Sequence, residues 1–214
     1  NELLSQNINT ALPLATAEKR RYGMLVSSLL VTEAVTNSEE FMEFCQANYE
    51  GALSGNKEAE KRKLLRKLAI FIKTIHEKGF FHCDLHAGNI LIKFGNKQSS
   101  SIHDCDLYLM DLHRVKILNN MSCRKRRYNL AQIFNSLSSI LTKADKLDFL
   151  RSYGSNTLGN ITDEDDLVRQ IELQSSRIRN IHYRSRLKRC LKESSAFSRK
   201  RSIGMKIFFR KGCD

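Results

Sequence analysis

With 214 residues, 41% of them apolar and 28% charged, the chain has the composition of a soluble folded domain with one core rather than of a disordered segment. No run approaches the roughly 18 apolar residues of a membrane span, and the start, NELLSQNINT, lacks the basic and apolar regions of a signal peptide. The formal charge of +13 is one-sided: through Asp111 there are 13 Lys and Arg against 14 Asp and Glu, and beyond it 23 against 9, so the second half offers a basic field to nucleic acid, an anionic membrane surface or a phosphorylated substrate.

The chain opens without Met in what reads as a helix, which suggests a fragment cut upstream. Residues 23–35, GMLVSSLLVTEAV, read as one or two strands. A short helix is expected from Ser38, then a Gly-containing loop, then a long helix capped by Asn56. Leu64, Leu65, Leu68, Phe71, Ile72 and Ile75 fall on one face of that long helix, and Gly79 is its natural stop. ILIKF at 90–94 and LYLMD at 107–111 read as a hairpin with a long polar connection and Asp111 at its end. Helical spacing returns from Tyr128 through Leu130, Ile133, Phe134, Leu137, Ile140 and Leu141. A further helix is expected from Thr162, boxed with Asp165, through Leu167, Ile171 and Ile178. The end of the chain shows no regular pattern. The six cysteines form no C-x-x-C pair, so they read as reduced thiols.

Chemistry concentrates in GFFHCDLHAGNILIKF, residues 79–94. Phosphoryl transfer needs a carboxylate to take the proton of the attacking hydroxyl and oxygen ligands that hold Mg²⁺ on the nucleotide phosphates. Protein kinases carry these as H-R-D-x-x-x-x-N followed, after a hairpin, by a second Asp. Here His82 and Asp84 are followed by Asn89, five positions after Asp84, and Asp111 closes the hairpin. Asp84 is then the candidate base, and Asn89 and Asp111 the candidate Mg²⁺ ligands. Leu91 would lie under the adenine of ATP, with the backbone of Glu33 to Val35 at its edge, while His82 would brace the loop. A competing set, His82, Asp84 and His86 with His103, Asp104 and Cys105 nearby, resembles a zinc site but leaves Asn89 and Asp111 without a role. A polar turn without chemistry is the third reading. After Asp111 the chain runs DLHRVKI with no room for a long activation segment, and the only proline is Pro13. A small-molecule or glycolipid acceptor therefore fits better than a peptide.

HCDLHAGNIL, LYLMDLHRVKI, YNLAQIFNSLSSI, DKLDFLRSY and RSRLKRCLKESSAF resemble the lipopolysaccharide kinase (Kdo/WaaP) family, and NINTALPLATAEKRRYGMLVSSLLVTEAV is similar to that family's lobe-joining region. The resemblance implies an α+β, protein-kinase-like fold. Residues 1–36 would be a remnant of the N-lobe and hinge, and 37–214 a helical C-lobe with a catalytic hairpin and basic C-terminal helices. It further implies ATP with Mg²⁺ and transfer to a Kdo or heptose hydroxyl at the cytoplasmic face of the inner membrane, with the protein peripheral there. Asp84 is the base by motif match, and Asn89 and Asp111 the metal ligands. The family's phosphate-covering loop and nucleotide-contacting Lys belong upstream of Asn1. The basic half would meet the phosphates of the lipopolysaccharide core and lipid A, with Arg124 to Arg127, Arg184, Arg186, Lys188 and Arg189 as candidates. An inactive kinase-like module that binds glycolipid or a protein is the alternative. Nucleic-acid binding is disfavoured by the lack of a known motif.

Overall fold

The computed structural model describes residues 2–95, 102–159, 163–192, 194, 196–202 and 205–211. A short helix α1 (Glu2–Ser5) leads into an antiparallel hairpin of β1 (Pro13–Arg21) and β2 (Met24–Thr32). The Leu- and Val-rich run forms β2 as its composition directs. Its partner β1 has the sequence PLATAEKRR, whose charges hide the strand from a pattern search. Tyr22 and Gly23 turn the hairpin with φ of 51° and 78°, the conformation of a tight two-residue connection. Apart from Pro13, every residue of both strands is exposed.

The helix expected from Ser38 begins three residues later. Ser38–Glu40 extends as the edge strand β3, and only then does α2 (Phe41–Tyr49) bury Phe41, Phe44, Cys45 and Tyr49. The next helix, α3 (Gly55–Glu77), has Ser54 rather than Asn56 at its N-cap position. Its inner face is the one the spacing gives, with Leu64, Leu65, Leu68, Ile72 and Ile75 buried and Phe71 partly so. Gly79, at φ 79°, follows its end.

Four short strands then follow: β4 (Phe80–His82), β5 (Ile90–Phe94), β6 (Cys105–Leu109) and β7 (Val115–Ile117). β5 is the middle strand between β3 and β6, while β4 pairs with β7, so the sequence between β4 and β5 crosses from one small sheet to the other. Along β5, Ile90, Ile92 and Phe94 are buried and Leu91 and Lys93 half-buried, the alternation of a one-sided strand.

Helix α4 (Cys123–Ser136) starts earlier than the apolar spacing indicates, because the hydroxyl of Ser122 caps it by accepting from the Lys125 amide. Leu137, Ile140 and Leu141 lie beyond its end and are still buried. Helix α5 (Lys143–Tyr153) opens with a capping box of Thr142 and Asp145. Helix α6 (Glu164–Cys190) is capped by Asp163, and the cap expected at Thr162 lies outside the described residues. The chain closes with a hairpin of β8 (Phe197–Ser202) and β9 (Met205–Arg210), where the sequence shows no pattern.

The core is built around α3 and α4. α3 packs on α5, α4 packs on α6, and the Phe134 and Phe149 rings meet edge to face at 5.5 Å. A buried ion pair ties α3 to α5: Lys61 Nζ stands 2.7 Å from Asp145 Oδ2 and also donates to the Ile140 carbonyl. Burial alone would raise the Asp145 pKa, but hydrogen bonds from Lys61 and Thr142 take it below the ordinary value. Five described cysteines are free thiols, in line with their spacing in the sequence.

Candidate active site

The loop from β4 to β5 wraps around His82, which is 1% exposed. Its Nδ1 accepts from the Asp84 amide at 3.1 Å, and its Nε2 donates to the Met110 carbonyl at 3.2 Å. Burial lowers its pKa, so the ring is neutral with the proton on Nε2. One imidazole thus fixes Asp84 on one side and the approach to Asp111 on the other. The charges of both carboxylates reach it. This is the bracing role expected from the sequence.

With both ring nitrogens engaged, His82 has no lone pair for zinc. His86 is also occupied, since its Nδ1 accepts from the Gly88 amide at 3.1 Å and caps the 3-10 turn Ala87–Asn89. Gly88 sits at a close approach: a Cβ there would stand 2.7 Å from Oε1 of Glu40 and 3.0 Å from the His86 ring, so those side chains would have to shift. Among the described residues no group of three His, Cys, Asp or Glu side chains is placed to hold a metal.

Asn89 donates its side-chain amide to the Asp84 carbonyl at 2.9 Å, which orients the side chain and leaves Oδ1 as a neutral hard ligand. Its backbone carbonyl accepts from the Met110 amide at 2.8 Å, locking the start of β5 to the end of β6. Asp111 sits just beyond β6 in the left-handed conformation, φ 57° and ψ 49°, and its carboxylate contacts the ring of His113. One carboxylate and one amide oxygen are a meagre cage for a bare cation. They suit Mg²⁺, which takes most of its remaining ligands from water and nucleotide phosphates.

Asp84 itself is about one-third exposed, and the Arg114 guanidinium stands 3.5 Å from its Oδ2. Such a half-solvated pair is worth at most about 1 kcal/mol and exchanges easily. Arg114 is held near by its backbone, whose carbonyl accepts from the Cys83 amide at 2.8 Å beside the β4–β7 ladder. Tyr128 lies close as well: burial first, then the charge of Asp84, raises its pKa.

The expected adenine contacts are placed less tightly. Glu33 and Ala34 are exposed and Val35 half-buried, at the end of β2. A cavity of about 250 Å³ is lined by Glu33, Ala34, Val35, Lys93 and Tyr108. Leu91 does not line it. Its same-face neighbour Lys93 and its cross-strand partner Tyr108 do.

What holds the loop from below was not singled out in the sequence. Asn129 on α4 donates to the His82 carbonyl at 2.6 Å. Gln132 donates to the Cys83 carbonyl at 3.0 Å and accepts from the Leu85 amide at 3.2 Å. Ser136 accepts from the Ala87 amide at 3.0 Å. Behind them runs a relay: Arg126 donates to the Tyr153 hydroxyl, which donates to His76 Nδ1, and His76 Nε2 donates to Asn129 Oδ1. The available signal was the polar series at 129, 132 and 136, which interrupts the apolar face of α4 at helical spacing.

A family model described as the lipopolysaccharide kinase (Kdo/WaaP) family matches residues 1–153. The chain belongs to this family. Its members are phosphotransferases. Among solved structures, WaaP in complex with acyl carrier protein is similar at 27% identity and a TM-score of 0.66, covering 82% of this chain and 72% of that one. An aminoglycoside-3'-phosphotransferase of type VIII aligns at 15% identity and a TM-score of 0.47, covering 81% and 76%. The fold is protein-kinase-like, as the motif order implies. No curated protein matches the chain.

Proposed function

We propose that the protein is an ATP-dependent kinase that phosphorylates a Kdo or heptose hydroxyl of the lipopolysaccharide inner core. The observation that carries this is the hydrogen-bond chain that joins Asp84 to the buried, neutral His82 and Asn89 to the Asp84 carbonyl, with Asp111 following the Met110 carbonyl that His82 also holds, in a chain of this kinase family. Asp84 would accept the proton of the acceptor hydroxyl as the hydroxyl oxygen bonds to the γ-phosphorus and the bond from that phosphorus to the ADP oxygen breaks. Asn89 Oδ1 and the Asp111 carboxylate would hold the divalent cation. Bound there, Mg²⁺ with ATP supplies the phosphoryl group and neutralises the charge on its oxygens. Arg114 is free to leave Asp84 when a more negative group arrives, because its pair is solvated. Glu33, Val35 and Leu91 are assigned to the adenine.

Residues 1–36 are read as part of a kinase N-lobe with its hinge, and 37–214 as the C-lobe. The β1–β2 hairpin, exposed apart from Pro13 and with β2 rich in Leu and Val, supports that division. Among the described residues no helix is long and apolar enough to cross a membrane, and peripheral attachment at the inner face of the inner membrane is proposed through the basic half. The similar WaaP structure is a complex with acyl carrier protein, which supports a protein partner of that kind here. The alternative, an inactive module that binds glycolipid, shares every feature except turnover.

The test is transfer of labelled phosphate from ATP to purified core glycolipid by the full-length protein, wild type against Asp84→Asn. Loss of about 10³-fold in kcat is expected for removal of a general base. Equal rates would remove Asp84 from its role.

A further inference from the structure

Beside the catalytic loop, α4 and α6 diverge to leave an open cleft of about 920 Å³. Among the described residues four cations line it, Arg124, Lys125, Arg127 and Arg177, and no Asp or Glu does. A cleft lined by one sign of charge on a low-dielectric wall concentrates counter-ions far more than the same charges spread over a convex surface. Here part of the wall is apolar: Leu173 and Ile181, both more than half exposed, stand among the cations.

The four-residue basic run at the start of α4 divides sharply. Arg126 is structural, with its guanidinium on the Met121 carbonyl and the Tyr153 hydroxyl. Its three neighbours turn to the cleft. Lys125 rests on the Phe81 ring at 5.7 Å, and Arg127 makes a long 3.5 Å bond to Gln170. Of the basic residues picked from the sequence, those at 184–189 do not line the cleft, while Arg177, which was not among them, does.

The cleft adjoins the candidate active site. Cys83, the residue before Asp84, lines it, and so does Tyr128, whose phenol feels the Asp84 charge. A group seated on the cations is therefore joined to whatever hydroxyl lies at Asp84 by a short stretch of the same molecule.

We propose that this cleft is the acceptor site, and that it grips the acceptor through an oxyanion, phosphate or carboxylate, which the acceptor already carries, with an apolar part of the acceptor against Leu173 and Ile181. The proposal rests on Asp84 as the base of the kinase described above. It deepens that function by making pre-existing negative charge a condition of good binding. The exposed apolar part of the wall favours an amphiphile over a nucleic-acid backbone, which would match the cations and leave Leu173 and Ile181 unused.

Binding by full-length protein is measured without nucleotide on phosphatidylcholine vesicles containing core glycolipid. The glycolipid is used either intact or with its phosphates removed and its carboxylates esterified. Wild type is expected to prefer the intact form by about tenfold or more, a difference that one or two charge-assisted contacts supply. The triple variant Arg124→Gln, Lys125→Gln, Arg177→Gln is expected to lose that preference with its KM for ATP unchanged. The charge-keeping pair Arg124→Lys, Arg177→Lys is expected to retain it. The proposal is overturned if wild type does not discriminate, if the triple variant still does, if the charge-keeping pair fails like the triple, or if single-stranded DNA displaces protein from the vesicles at lower concentration than free glycolipid. Phosphate transfer at equal kcat/KM to both glycolipid forms also sinks the cleft and leaves the kinase standing. Selective binding without any transfer does the reverse.

Discussion

Between His82 and Asn89 the backbone is gripped from several sides: His82 and Cys83 through their carbonyls, Leu85 and Ala87 through their amides, Asp84 through the His82 ring. Between Pro13 and Thr32 the hydrogen bonds among the described residues stay within the β1–β2 hairpin itself, and both faces are open, with Leu29 61% exposed. The two segments show that order has separate sources. The hairpin owes its shape to a local turn and strand propensity, which suffice to draw two strands together but add little stability in water. The loop has almost no regular structure and owes its shape to α4 beneath it.

Substitutions should expose that contrast. Leu68→Ala, in the fully buried face of α3, is expected to cost about 4 kcal/mol in urea unfolding, as large-to-small core changes do. Acid should attack the relay under the loop next. Burial holds the His76 imidazole down at about 4 against an ordinary 6.5, so the folded protein keeps it neutral. A depressed pKa contributes stability that is complete above pH 6.5 and is lost as the pH falls toward 4, about 3 kcal/mol in all. His76→Gln should flatten that part of the pH–stability curve, and an unchanged slope would refute the assignment. Asn129→Ala leaves the His82 carbonyl and His76 Nε2 without their partner and should cost about 2 kcal/mol, with a fall in phosphotransfer seen in kcat. Leu29→Ala, in the open hairpin, should change stability by less than about 0.5 kcal/mol. A cost like that of Leu68→Ala would mean the hairpin is covered, and the contrast would fail.

The features legible in the sequence are those encoded over short distances. The apolar face of α3 repeats within one helix, and the order Asp84, Asn89, Asp111 is carried by spacing around one hairpin. The grip of α4 on the loop was not legible, since Asn129 and His82 are 47 residues apart, and a buried Asn reads in sequence as a surface residue until its partners are known. The cap at Ser54 and the strand at Ser38–Glu40 were misplaced for a related reason. Asn56 is as good a capping residue as Ser54 by type, and β3 is strand only because β5 lies beside it.

Asp111 carries a left-handed backbone and a carboxylate at one position. Those two demands can be separated by the choice of replacement. Asn tolerates the same φ and ψ and has nearly the same shape, so Asp111→Asn removes charge and little else. Alanine at that position strains the turn as well. A lost activity after alanine substitution would therefore confound the proposed cation role and the His113 contact with loop geometry, whereas the isosteric exchange tests the carboxylate's charge with the backbone kept.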